Sequence, residues 1–382
     1  MDVEILHTGF DGLKFTITTD IPLGLRAVLA EAKAEAIRNN AETVIDQGGM
    51  PFAVRRTGGS AFSVHTGEYG AEWFFLDPEN RPRNNPGVTV DFRAFLLATG
   101  GLKAAEKHFR DCMTALGIPY VETQLRVSRV DFAIDILAPW FEPTREALVA
   151  PPGTRNREFT EIDKTEIQST GARVTGLRAG AVVNRQLAIY DKRGEVIAKR
   201  KMGWLAIWNA SRRAAGKPPL DLADRDQSQV WRFEMRLGSK QLRNRWEMRN
   251  WADLDAMIGD AFVDFCKCVH YCIPTADRNR SRWPTHELWR AVSEVAKGDL
   301  RNMRSGVIPS EVEAVNREAH KRLLDSQTLG LLVSRAAIEG VPSDDVEAFF
   351  RRNILALKEL SKAHPVPLDD RLSKAKARYA FR

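Results

Sequence analysis

Three stretches of the chain alternate apolar and polar residues with period two, and they gather its most chemically active side chains. In residues 126–136 (RVSRVDFAIDI), Val130, Phe132, Ile134 and Ile136 fall on one face, and Arg129, Asp131, Ala133 and Asp135 on the other. This is the pattern of a half-buried strand. Two carboxylates two pleats apart stand roughly 7 Å from each other, and only Ala133 lies between them. Asp is disfavoured in strands, so a regular strand that carries two needs a reason. In residues 185–192 (RQLAIYDK), Ala188, Tyr190 and Lys192 share a side. In residues 230–237 (VWRFEMRL), Trp231, Phe233, Met235 and Leu237 oppose Arg232, Glu234 and Arg236. Such strands predict a sheet with its apolar side on a helical layer and carboxylates, arginines and a tyrosine on the other.

The remaining pattern fills in around them. Residues 13–18, 52–65, 72–76, 88–95 and 173–180 read as strands. Residues 25–46, 102–116 and 198–215 read as helices, the first two ended by Gly48–Gly49 and by Gly117 with Pro119. Residues 82–87, 138–153 and 216–229 read as loops, the second leading into an irregular polar segment. After Gly238 the period becomes helical, over 240–271, 284–297, 309–324, 328–339 and 343–364. A basic tail, 371–382, reads as disordered. The expected fold is α+β: a mainly antiparallel sheet built from two strand–helix halves, with helices packed on one face, plus an all-helical C-terminal region. The expected division is 1–240 and 241–382.

Composition narrows the class. With 382 residues, 43% hydrophobic and 28% charged, the chain has the profile of an ordinary soluble protein. No apolar run approaches the roughly 20 residues of a membrane span, and MDVEILHTGFDG has no secretory pattern. Four cysteines are no disulfide framework at this length, which points to the cytoplasm. A net charge of +7 and a pI near 9.3 suit a nucleic-acid partner. The basic residues cluster at 192–201, 212–217, 232–249 and 278–290, and six of the nine tryptophans lie between 204 and 283. That interleaving reads either as phosphate contacts with stacking surfaces for bases or as a solvated basic face over an aromatic core.

Tyr190, one of five tyrosines, is the candidate nucleophile. A phenol with pKa about 10 attacks poorly at neutral pH, and Lys192 is placed to help. Asp131, Asp135 and Glu234, with Glu195 nearby, are candidate oxygen ligands for Mg²⁺ or Mn²⁺; the competing reading pairs these carboxylates with Arg129, Arg232 and Arg236. Cys266-x-Cys268-x-His270-x-Cys272 lacks zinc-knuckle spacing and falls in a helical pattern, so it reads as packing. There is no His-x-His pair and no nucleotide-binding phosphate loop.

Taken in order, SRVDFAID (128–135), IYDKRGE (189–195) and WRFEMRL (231–237) resemble the replication initiation factor family. These are rolling-circle initiators of the Rep_trans type in plasmids and filamentous phages, with related relaxases of integrative conjugative elements. The resemblance spans about residues 50–250. The expected glycine- and serine-rich segment before the tyrosine strand stands here only as TGLRAG (175–180), and the helical C-terminal third matches no family pattern. The resemblance implies a metal-dependent enzyme that nicks and rejoins one DNA strand through a 5′-phosphotyrosine. Tyr190 would be the nucleophile, Lys192 and Arg232 phosphate contacts, and Asp131, Asp135, Glu234 and Glu195 the metal or active-site carboxylates. Its expected partner is an origin with a single-stranded or hairpin nick site. Residues 1–240 would nick, and the helical region would serve specific DNA binding, dimerisation or helicase contact. The rivals are a conjugative relaxase and a non-catalytic DNA binder of the same fold.

Overall fold

The alternating stretches pair edge to edge into one large antiparallel sheet. The computed structural model describes residues 3–58, 61–76, 86–150, 166–171 and 173–379. Its strands are β1 (Glu4–Thr18), β2 (Thr43–Gln47), β3 (Met50–Val54), β4 (Ala61–His65), β5 (Ala71–Leu76), β6 (Gly87–Phe92) and β7 (Leu125–Leu137). They continue with β8 (Leu148–Val149), β9 (Glu166–Thr170), β10 (Arg173–Gly180), β11 (Arg185–Asp191), β12 (Val230–Gly238) and β13 (His270–Tyr271). The sheet order is β2-β3-β4-β5-β6-β1-β7-β12-β11-β10-β9, and β8 pairs with β13 apart from it. The helices are α1 (Leu23–Arg38), α2 (Ala94–Ala115), α3 (Lys192–Lys199), α4 (Gly203–Ala214), α5 (Arg225–Ser228) and α6 (Ser239–Asn244). Beyond them lie α7 (Trp251–Cys268), α8 (Glu287–Ala296), α9 (Pro309–Ile338), α10 (Val346–Ala363) and α11 (Leu368–Tyr379). The fold is α+β with a helical C-terminal region, as expected.

The apolar face of the sheet forms the main core. Phe10, Phe15, Phe132 and Phe233 meet Phe109 of α2, Trp251 and Phe262 of α7, and Trp289 of α8. Phe15 stacks on Trp251 with ring centroids 4.4 Å apart. Because α7 and α8 complete this core, the division expected after residue 240 runs through it. Helices also cover part of the other face, contrary to the one-sided packing expected. Trp204 and Trp208 of α4 form a second, smaller core with Phe95, Val196 and Val312.

The boundaries differ from the sequence pattern where local chemistry is ambiguous. The first helix stops at Arg38, and the β-branched run Thr43–Ile45 becomes strand. Residues 52–65 contain two strands, β3 and β4, with residues 59–60 outside the described set. The helix expected at 102 begins at Ala94 and bends at Gly101, whose φ is 66°. Residues 240–271 break at Asn250, whose side chain caps α7 by accepting from the Asp253 amide. The two helices expected over 309–339 form one, α9, ending at Ile338. Strand β9 was not expected. The tail read as disordered is helical to Tyr379; residues 380–382, the loop positions 82–85 and the polar segment 151–165 lie outside the described residues.

Candidate active site

The site is built by register. Across β1, β7, β12, β11 and β10, one row runs His7, Asp135, Arg232, Tyr190, Gly176. The next runs Gly9, Ala133, Glu234, Ala188, Arg178, and a third runs Gly12, Asp131, Arg236, Gln186. Opposed residues in an antiparallel pair share a face, so three strands that are distant in sequence deliver their charged sides together. Small neighbours on both sides leave Glu234 standing clear in the middle row.

Tyr190 is half-buried, and its Oη donates to Glu234 Oε2 at 3.0 Å. The other Glu234 oxygen accepts from Arg236 Nε at 2.7 Å. Asp131 accepts from Arg129 Nε at 2.9 Å, with the Arg129 Nη2 nitrogen 2.6 Å from its second oxygen. Asp135 is wholly buried. It accepts from Arg232 Nε at 2.6 Å and Nη2 at 2.8 Å, and from Trp208 Nε1 at 2.8 Å. Arg232 also donates to Asp11 and lies over the Trp204 ring, 4.1 Å from its centroid. The pairing of Asp131, Asp135 and Glu234 with three arginines is therefore present throughout.

Strand β11 ends at Asp191, whose carboxylate accepts from the Gly194 amide and starts α3. Lys192 is thus the first helical residue, not a strand residue. It still reaches the site: its Nζ is 2.7 Å from Glu195 Oε2, 4.9 Å from the Trp204 centroid and 5.6 Å from that of Tyr190. The second Glu195 oxygen takes Lys199 at 3.0 Å.

Asp131, Tyr190, Lys192, Glu195 and Glu234 line one cavity of about 260 Å³, with Arg129 and Arg236. Asp135 and Arg232 do not line it. Both are fully buried with their polar atoms committed to each other, Asp11 and Trp208, so they brace the wall and neither faces a ligand. Asp11 and Trp204 line the cavity too; Trp204 was among the tryptophans singled out in the sequence, and Asp11 was missed. Asp11 is the extra residue of a β-bulge between Phe10 and Gly12. The signal available was Asp-Gly inside an alternating strand. A Cβ at Gly12 would lie 2.5 Å from Asp131 Oδ2, so the glycine makes room for that carboxylate. Tyr190, Glu195 and Arg236 also border a second cavity of about 510 Å³, lined by β9, β10 and α3.

The ionisation pattern follows these contacts. Burial and the Glu234 carboxylate push Asp131 up to about 7, against the pull of Arg129. Burial opposes the charge of Asp11, yet Arg232 and Lys192 outweigh it and hold the group at about 2. Glu195 is likewise held at about 2 against burial by Lys192 and Lys199. Asp135 is lowered because Arg232 overcomes its burial. Lys192 is lowered by burial and by Arg232. Tyr190 is raised well above a free phenol by burial and Glu234, with Arg232 opposing. The protein alone therefore gives no pre-formed phenolate.

A hard cation fits only part of the expected carboxylate set. Among the described residues, no three His, Cys, Asp or Glu side chains form a metal-holding group. Asp135 lies outside the cavity and both Glu195 oxygens are taken by lysines, whereas Asp131 and Glu234, each paired with one arginine, face the cavity. Asp131 and Glu234 remain, two neighbouring carboxylates on one wall whose mutual repulsion a divalent ion would relieve. That donor set suits an ion that keeps several waters and shares a substrate phosphate.

The tryptophans are mostly core. Trp204, Trp208, Trp231 and Trp251 are buried, which favours the aromatic-core reading over a stacking surface for these four. The cysteine cluster is core as well: Cys266 packs on Met235 Sδ at 3.6 Å, and Arg185 donates to Cys268.

No protein-family model matches this chain, and no curated protein matches it. Among solved structures it is similar to a rolling circle replication initiator protein from Geobacillus stearothermophilus. The identity is 14%, over 78% of this chain and 98% of that one, with a TM-score of 0.36.

Proposed function

We propose that the protein is a DNA nicking and rejoining enzyme that initiates rolling-circle replication, with Tyr190 as nucleophile. The observation that carries this reading is the Tyr190–Glu234 hydrogen bond, set where two cavities meet among carboxylates and cations. The three ordered motifs add the family resemblance. Tyr190 Oη attacks the scissile phosphorus while its proton passes to Glu234. The tyrosyl–phosphate bond forms as the bond to the 3′ oxygen breaks, and that oxygen takes a proton from water. Arg236 and Arg129, which border the smaller cavity, neutralise charge on the phosphate. Arg232, Asp135 and Asp11 hold the strands in register beneath them. Asp131 and Glu234 would hold Mg²⁺ or Mn²⁺. The ion would supply charge neutralisation at the phosphate and ease loss of the phenol proton, which burial otherwise hinders.

The test is incubation of purified protein, with Mg²⁺ or Mn²⁺, on supercoiled DNA carrying the origin of its own element. Wild type is expected to give relaxed circles and protein joined to a 5′ end. Tyr190→Phe, which keeps the ring and loses one hydrogen bond, is expected to bind the DNA and give neither. Asp131→Ala is expected to lose nicking in the same assay. Nicking that survives Tyr190→Phe removes the nucleophile assignment. Tight binding without nicking by all three proteins favours a non-catalytic binder.

A further inference from the structure

The larger cavity beside Tyr190 is lined on one side by motif residues and on the other by the β9–β10 hairpin, which no matched motif covers. Its floor is the β9–β10 hairpin, and its far wall is α3. Three uncharged polar side chains, Gln168, Thr170 and Thr175, face it together with Arg173, Arg178 and Lys199. Its volume, about 510 Å³, lies within the roughly 300–1,000 Å³ typical of sites that enclose a small organic ligand.

Two backbone features keep the cavity open next to the tyrosine. Gly176 stands directly opposite Tyr190 in the ladder. A Cβ there would meet Gln168 Oε1 and Tyr190 Cβ, each at 3.2 Å. The absence of a side chain lets the Gln168 amide approach the nucleophile. The β9–β10 ladder shifts register between Val174 and Gly176, so Thr175 is an extra residue turned toward the cavity, the usual use of a bulge beside a functional site. Glycine 176 belongs to the TGLRAG segment that departs from the family pattern, so this is a feature of the chain's own.

We infer that this cavity is a nucleotide subsite: it takes the base of a single-stranded DNA nucleotide flanking the scissile phosphate, and Gln168, Thr170 and Thr175 read its edge. The inference rests on the nicking reading for the position of the phosphate. Amide and hydroxyl groups supply both donors and acceptors, as reading an unpaired base edge requires. The cavity's cations serve the backbone phosphates. Arg173, Arg178, Lys199 and Arg236 stand against Asp191 and Glu195, so the lining keeps a positive balance that suits a polyanion.

Two measurements on the full-length protein separate this inference from the nicking reading. The first is fluorescence anisotropy with a labelled single-stranded 20-mer of random sequence, without divalent metal. Arg178→Glu and Gly176→Val are expected to weaken binding at least about tenfold, and Lys107→Gln, on the exposed side of α2 across the sheet, to leave it within about twofold. The second uses a single-stranded pool with a randomised core and Mn²⁺, from which covalent adducts are isolated and their junctions sequenced. Gln168→Ala and Thr175→Ala are expected to relax base preference at one position beside the junction and leave the others as in wild type. Adducts absent from wild type overturn the nicking reading; the subsite then stands or falls on the anisotropy alone. Wild-type anisotropy that stays flat, or groove variants that bind as wild type does and keep its junction preference, overturn the subsite whatever the adducts show.

Discussion

Arg232 is placed to hold the site together without lining its cavity. It is wholly buried, and its guanidinium spans Asp135 and Asp11 while lying on Trp204. Arg232→Ala would leave the wholly buried Asp135 with Trp208 alone and remove the ion pair of Asp11, which costs about 3–5 kcal/mol. Urea unfolding of the variant is expected to show that loss, and a loss below about 1 kcal/mol would contradict the bracing role. His7 makes a second prediction at this scale. Its ring is buried against Trp204, with no hydrogen bond on either nitrogen among the described residues. Burial holds it at about 4 against an ordinary 6.5, with Asp135 and Asp11 pulling up and Arg232 and Lys192 pushing down. Between those values the unfolded chain binds a proton that the native state refuses. The stabilisation is therefore full above pH 6.5 and drains as pH falls to 4, by about 3 kcal/mol. Unfolding curves at pH 7.5 and pH 4 are expected to show the stability difference between wild type and His7→Asn shrinking by that amount. A constant difference would mean that His7 titrates normally.

Among the elements, the ones that alternate strictly were readable, and the ones that carry irregularities were not. Strands β7, β11 and β12 have one greasy face and one charged face, so period two exposes them and also places Asp131, Tyr190 and Glu234 on the correct side. Strand β9, EIQST, is exposed along its whole length; its hydrogen bonds to β10 hold it, and no hydrophobic pattern records that. Asp11 and Thr175 reach their cavities through bulges, which shift a face by one residue and so erase the periodicity that would announce them. The glycine after the first bulge has a measurable role. Gly12→Ala places a methyl group against the Asp131 carboxylate, which has to turn away to admit it. The fold is expected to survive within about 1 kcal/mol while nicking falls on the order of 10²-fold, the cost of misplacing one reacting group by about an ångström. Unchanged nicking would show that Asp131 has room to spare.

For the molecule as a whole, the change from strand to helix after residue 238 was plain in the pattern, but it is not a boundary of the core. Trp251, Phe262 and Trp289 pack under the sheet, whereas most of α10 and the second half of α9 are exposed. A chain cut after residue 240 is expected to lose cooperative thermal unfolding. One cut after residue 325 keeps Val312 and Asn316 against α4 and is expected to retain both the transition and nicking. A cooperative transition in the shorter chain would reverse this account of where the fold ends.

The sheet order has one more consequence. Asp11 and Arg232 are 221 residues apart in the chain, and β1 meets β12 only through β7. Contacts of such long range close late. A ribosome that has made half of this protein has just completed the tyrosine strand but not β12, so the chain has neither the brace nor a closed cavity. On the nicking reading proposed above, the site is complete only once β12, the last strand of the sheet to be made, has joined it, so a nascent chain abandoned earlier would be inert toward DNA.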